Sequence, residues 1–148
     1  MKKVISLIMV LVLCLGLCAC ADQGSQFTGT YEHKGELTEY YSVYGYNNCV
    51  HTIKYTETLI LNGDGTGTFK AIATSSGEHY KVGDVVQEGT VTWTCEGEYI
   101  TIKYNGSSYN KDYGKNTTKL IDYTSTYEKK AGTLHSASSG YLAYSKVG

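Results

Sequence analysis

The sequence contains no proline and no arginine. Without proline, chain reversals fall to Gly, Asn, Asp and Ser. Without arginine, the forked group that grips phosphate or carboxylate through two parallel hydrogen bonds is missing. All 13 cationic side chains are lysines, set against 14 Asp and Glu, for a formal net charge of −1. Such a balance argues against a protein that tracks nucleic-acid phosphates. After the N-terminal leader there is no long run at helical spacing. Catalytic spacings are missing as well. There is no Gly-x-Ser-x-Gly elbow, no His-x-x-x-His pair and no Cys-x-x-Cys pair. His33, His51, His79 and His135 are scattered over separate segments. The chain is therefore expected to be no enzyme, with no metal and no cofactor.

What is present begins with a leader. Met1-Lys2-Lys3 is a short positive start, and Val4 to Leu17 is apolar apart from Ser6 and Gly16. That is the layout of a secretory signal peptide. Counted through Ala21 the run also touches the lower limit for a membrane-spanning helix, so a retained anchor is the competing reading. The residues that follow favour processing. Leu17-Cys18-Ala19-Cys20 resembles the bacterial lipobox, in which a Leu, a tolerant position and a small residue precede a modified Cys. That resemblance implies a thioether-linked diacylglyceryl group on Cys20, with palmitate-type chains, and cleavage before it. Lipid on Cys20 would hold the protein to the cell membrane on its extracytoplasmic face. Asp22 to Gln26 read as a short flexible tether.

The expected organisation is a signal peptide over residues 1–19, a lipidated Cys and tether over 20–26, and one domain over 27–148. Setting aside the first 20 of 148 residues leaves 128, enough to bury roughly two thirds of the unfolded surface. Loss of Lys2 and Lys3 takes the formal charge from −1 to −3. Two cysteines remain in the domain, Cys49 and Cys95. An even remainder in an exported domain points to a disulfide. It would close a loop of about 45 residues and stabilise by roughly 3–4 kcal/mol. The alternative is two separate buried thiols acting as small hydrophobes.

The domain alternates at period two. Fifteen Tyr and seventeen Gly suit half-buried strands joined by tight turns. Strands are predicted over 27–32, 37–44, 49–61, 66–73, 89–95, 99–104, 120–129 and 141–146. Asn62-Gly63-Asp64-Gly65 is a strong hairpin signal between two of them. It echoes a calcium loop only superficially, since the twelfth position is Ala73 and strands flank it. Leu59 and Leu61 share a face that should meet Phe69, Ala71 and Ala73. Val91, Trp93 and Cys95 point one way and Thr90, Thr92 and Thr94 the other. Ile100, Ile102 and Tyr104 share a face. The fold class expected is all-β: an antiparallel up-and-down barrel or sandwich of about eight strands.

The residues Gly29-Thr30-Tyr31, Thr58 to Phe69, Gly89 to Trp93 and Tyr99 to Ile102 together resemble the lipocalin-like lipoproteins of bacteria. The resemblance implies a barrel that holds a small apolar ligand, with Phe69 and Trp93 lining the interior. Two departures stand out. Tyr31 occupies the place of the first-strand Trp of lipocalins, and Lys146 is the only candidate for the Arg that covers it. Two functional expectations follow. One is a non-catalytic binding module for a small hydrophobic ligand. The other is a packed barrel whose Tyr-rich exterior meets a partner protein or glycan.

Overall fold

The structure is a computed structural model that describes residues 24–147. Cys20 and the leader lie outside the described residues, so the expected lipidation falls there. The described chain opens with a 3₁₀ turn, Ser25–Phe27. Eight strands follow: β1 (Gly29–Val43), β2 (Tyr46–Leu61), β3 (Thr66–Ala73), β4 (Val85–Glu96), β5 (Tyr99–Asn110), β6 (Thr117–Lys130), β7 (Thr133–Ser136) and β8 (Leu142–Val147). Each pairs antiparallel with the next, and β8 returns to β1, which closes an up-and-down barrel.

Alternation explains which side chains fill it. On β3 every second residue is buried, and Phe69 and Ala71 stand opposite Leu59 and Glu57 of β2. Val91 and Trp93 are buried while Thr90, Thr92 and Thr94 are exposed. Ile100, Ile102 and Tyr104 are buried on β5. The predicted hairpin at Asn62 to Gly65 forms as expected. Asp64 Oδ1 accepts from the Thr66 amide at 3.0 Å and from its hydroxyl at 2.6 Å, which holds the Asp64 carboxyl below its ordinary pKa.

Three boundaries differ from the sequence reading. The two strands expected over 27–32 and 37–44 are one continuous strand, β1. Gly35 lies inside it rather than in a turn, because the Tyr55 ring crosses over it. A Cβ on Gly35 would sit 2.4 Å from the Tyr55 hydroxyl. The segment expected as a loop from Lys130 to Gly140 contains β7. β5 runs on to Asn110, well beyond the predicted end at Tyr104. One hairpin, at Ala131-Gly132, was hidden by its turn residues, while the turn expected over 45–48 is present and falls at Tyr44-Gly45. Tyr44-Gly45 and Ala131-Gly132 both adopt positive φ, with Tyr44 and Ala131 at 48°, where Asn or Gly is the usual occupant.

The disulfide expected between Cys49 and Cys95 is not formed. Cys49 stands opposite Tyr41 near the β1–β2 tip. Cys95 stands opposite Ile100, and its neighbour Trp93 bonds through its amide to Gly65 O at the other end of the barrel. Twelve residues of β2 separate Cys49 from Leu61, a rise of about 40 Å at ~3.3 Å per residue. A disulfide tolerates a Cα separation of about 7 Å at most.

The two ends are shut by different devices. At one end Phe27 packs on Trp93, ring centroids 6.4 Å apart. Tyr31 donates its hydroxyl to the Phe27 carbonyl at 2.8 Å, and the Trp93 indole donates to Thr66 O at 3.1 Å. At the other end the loop 74–84 folds over the opening. Glu39, fully buried, accepts from the amides of Glu78 at 2.9 Å and His79 at 2.6 Å. Gly77 fits against it only because it lacks a side chain, since a Cβ would meet the Glu39 carboxylate at 2.0 Å. Tyr80 descends from the same loop into the barrel and donates to Tyr109 O at 3.0 Å. Lys111 Nζ clasps Asp84 at 2.5 Å.

A lateral opening with a buried carboxylate

The barrel is closed by very little between its first and last strands. β8 pairs with β1 only at Thr30, Tyr31 and Glu32. Beyond that, His33 to Val43 pair with β2 alone. On the facing side, β7 covers β6 only from Tyr127 to Lys130. The upper stretches of β1 and β6 therefore flank an opening in the wall. Its top is tied by Asp112, whose carboxylate accepts from the Tyr40 amide at 2.9 Å. One cleft, of about 430 Å³, runs along this edge of β1 and is lined by His33, Lys34 and Ala143; a second, of about 490 Å³, lies on the β1–β2 side among Lys34, Glu36, Lys54, Tyr55 and Thr56. Another cleft, of about 640 Å³, lies elsewhere, among Thr94, Glu96, Glu98 and Thr126. Those are outward threonines and turn glutamates, with no buried polar group among them.

Behind the opening the interior changes character. The closed end is filled by Phe27, Tyr31, Leu59, Leu61, Phe69, Trp93, Ile100 and Ile102. Toward the loop end the inward positions turn small: Ala71 and Ala73 on β3, Gly89 on β4, Gly106 and Ser108 on β5. A second apolar cluster gathers there around Ile53, Ala71, Ala73, Tyr80 and Val86, with Leu37 and Tyr55 against it. Between the two clusters lies a polar belt centred on Glu57, which is 4% exposed.

Glu57 accepts short hydrogen bonds from the Gln87 amide and the Tyr144 hydroxyl. Tyr144 and Tyr104 hydroxyls are 3.3 Å apart, and those of Tyr104 and Tyr127 are 3.1 Å apart. Tyr104 stacks on Tyr123, centroids 4.7 Å apart. Tyr123 is 48% exposed, so the stack leads from the belt to the surface. His33, across the strand pair from Glu57, lies edge-on to Tyr144 at 5.8 Å. Its Nδ1 is 2.6 Å from the Ala143 carbonyl. A carbonyl only accepts, so that nitrogen must carry the proton.

Burial pushes the tyrosine hydroxyls up. Desolvation raises Tyr31, Tyr55, Tyr80, Tyr104, Tyr123, Tyr127 and Tyr144 above the ordinary value of 10.0. For Tyr55, Tyr123, Tyr127 and Tyr144 the negative charge of Glu57 adds to it. These hydroxyls are held neutral, as hydrogen-bond donors and acceptors.

The sequence reading placed the ligand-lining residues at Phe69 and Trp93. Both are buried at the closed end, Phe69 against Tyr104 at 5.3 Å and Trp93 against Phe27. The four histidines do not converge, and among the described residues no group of three His, Cys, Asp or Glu side chains is placed to hold a metal. Glu57 was missed, although a signal existed. Alternation through Tyr55, Glu57, Leu59 and Leu61 puts a carboxylate on the face that has to be buried. The described part is an eight-stranded, closed, antiparallel barrel with a side opening onto a polar aromatic belt. Comparison with protein-family profiles, curated proteins and solved structures finds no match.

Proposed function

We propose that this chain is an extracytoplasmic lipoprotein, anchored through Cys20, whose lipocalin-like barrel is a non-catalytic binding module for a small, largely apolar ligand. One observation carries the binding reading. The interior is divided into a half packed with large aromatic and aliphatic side chains and a half where the wall positions turn small at Ala71, Ala73, Gly89 and Gly106 and only Ile53, Tyr80 and Val86 gather, and the second half lies toward the gap between strands. Binding sites of this kind combine apolar lining with a few converging polar groups. Phe69 and Trp93 then act as the packed floor beneath the ligand.

The anchor fits the same picture. Gly24 abuts Trp93 at the closed end, only four residues after Cys20. At ~3.5 Å per residue the tether reaches about 14 Å. An acylated Cys20 would keep the closed end against the bilayer and leave the loop end facing outward.

Binding is tested with a solvatochromic apolar dye and the variant Ala71→Phe, which fills the small-residue half. Dye fluorescence should rise with the unaltered protein and stay flat with the variant. Equal signals from both would overturn the reading. For the anchor, Cys20→Ala should shift the protein from the membrane to the soluble fraction.

A second reading rests on the β1–β2 tip. Tyr40, Val43, Tyr46 and Val50 are exposed there, and Tyr44 is 99% exposed at a left-handed φ. Such a tip suits contact with a partner protein or glycan. Tyr44→Asn relieves the turn, and loss of partner capture with unchanged dye binding would favour this reading.

A further inference from the structure

We infer that the ligand carries a positive charge: the belt around Glu57 is a recognition site for a small organic ammonium ion with an apolar arm. This rests on the binding reading above and specifies the chemistry of that site.

The argument starts from the cost of the carboxylate. A carboxyl group withdrawn from water needs either a counter-charge or a full set of hydrogen bonds. Glu57 is nearly fully buried, yet no ion pair among the described residues includes it. Its two donors, the Gln87 amide and the Tyr144 hydroxyl, are both uncharged. An ionised carboxylate accepts at about four sites, so two neutral bonds leave much of its capacity unused. The nearest basic side chain along the ladder is His33. It forms no ion pair with Glu57 and spends its Nδ1 proton on Ala143.

What surrounds Glu57 is aromatic. Tyr104, Tyr127 and Tyr144 form one hydroxyl-linked group, and Tyr123 extends it by stacking to the mouth. Tyr55 and His33 close the β1–β2 side, centroids 6.3 Å apart. Ring faces attract cations, most strongly where water is excluded. The neutral hydroxyls add acceptors for an N–H donor without adding a competing charge. A purely apolar ligand would gain nothing from Glu57 and would leave it poorly solvated. An anion would be repelled. An ammonium ion would supply the absent counter-charge, and its apolar arm would point toward the apolar cluster of Ile53, Ala71, Ala73 and Val86.

The test uses the full chain in non-ionic detergent micelles and isothermal titration calorimetry. The probes are phenethylammonium, its neutral analogue 3-phenylpropanol, and the anion 3-phenylpropionate. Phenethylammonium should bind at least tenfold more tightly than the alcohol, and the anion should not bind. Glu57→Gln should remove that preference, bringing the ammonium and the alcohol to within about twofold of each other. Tyr123→Leu leaves the carboxylate in place and should weaken the ammonium selectively, which keeps the inference testable if the Glu57 variant fails to fold. Equal binding of all three probes, with Glu57→Gln indifferent, would refute the charge while sparing the binding module. Binding of none of them, together with a failed dye experiment, would refute both.

Discussion

The amide of His79 donates to Glu39 Oε1 at 2.6 Å, and this bond fastens the loop 74–84 across the end of the barrel. The neighbouring Glu78 amide uses the other oxygen of the same carboxylate. One side chain from β1 thus holds two backbone donors of a segment some forty residues away. His51 stands beside it, its Nδ1 3.8 Å from Glu39 Oε2. Glu39→Ala removes the acceptor for both amides. We expect a loss of about 2–3 kcal/mol in urea unfolding, with new protease cleavage between Thr74 and Asp84. Unchanged stability and an intact loop would show that Tyr80 alone keeps the end shut.

The buried tyrosines set the alkaline limit. Five buried ones, Tyr31, Tyr80, Tyr104, Tyr127 and Tyr144, and the partly exposed Tyr55 and Tyr123 have pKa values raised above 10.0 in the folded state, chiefly by desolvation. In the unfolded chain they release protons near the ordinary value. Above that pH the unfolded state binds fewer protons than the folded one, so stability falls as pH rises. The contribution is intact below pH 10.0 and is lost progressively above it. Absorbance at tyrosinate wavelengths should show these residues titrating only together with the loss of strand circular dichroism.

At the acid side a surface pair matters less. Asp84 is held below its ordinary value, first by the Lys111 hydrogen bond and then by the Lys81 amide. A depressed carboxyl stabilises above its unfolded value of 3.8, and the contribution disappears as pH falls through the lower folded value. Lys111→Met should therefore flatten the stability profile below pH 3.8 and change midpoints at neutral pH by less than about 1 kcal/mol.

Phe27 has a task beyond filling space. It caps the closed end, packs on Trp93 and lies under Lys129 Nζ at 5.5 Å from its ring centroid. Phe27→Ala should cost about 3–5 kcal/mol and shift Trp93 emission to the red as water reaches the indole. A blue-edge emission retained in the variant would contradict this packing.

Cys49 and Cys95 should both react as thiols in the mature chain denatured without reductant. A count of zero, with a mobility change on reduction, would contradict the separation of the two ends.

The parts legible in the sequence were those where local chemistry and tertiary need agree. Asn62 to Gly65 carries its own turn signal, and the strands on either side alternate cleanly because one face is buried along their whole length. The break read into β1 came from Gly35, which resembles punctuation but answers to Tyr55 on the next strand. β7 escaped notice because Leu134 is its one fully buried side chain, too little for a periodic signal. The turn at Ala131 uses a residue that does not advertise a left-handed backbone, whereas the turn beside Tyr44 was legible from Gly45. Glu57 was hidden for a different reason. A glutamate in a strand normally marks the wet face, and only the phase of its neighbours places it inside. Tyr31 and Lys146, far apart in sequence, meet at the closed end, with Lys146 Nζ 5.9 Å from the Tyr31 ring centroid.

The three residue pairs joining Thr30, Tyr31 and Glu32 to the last strand work as a clasp on a hoop. Their partners are separated by nearly the whole described chain, so closing this clasp carries a larger loop-closure cost than any of the hairpins. Loss of β8 would leave a sheet with two raw edges, ready to pair with its neighbours. The same short clasp that leaves the side opening thus decides whether β1 and β8 form a closed seam or two bare strand edges.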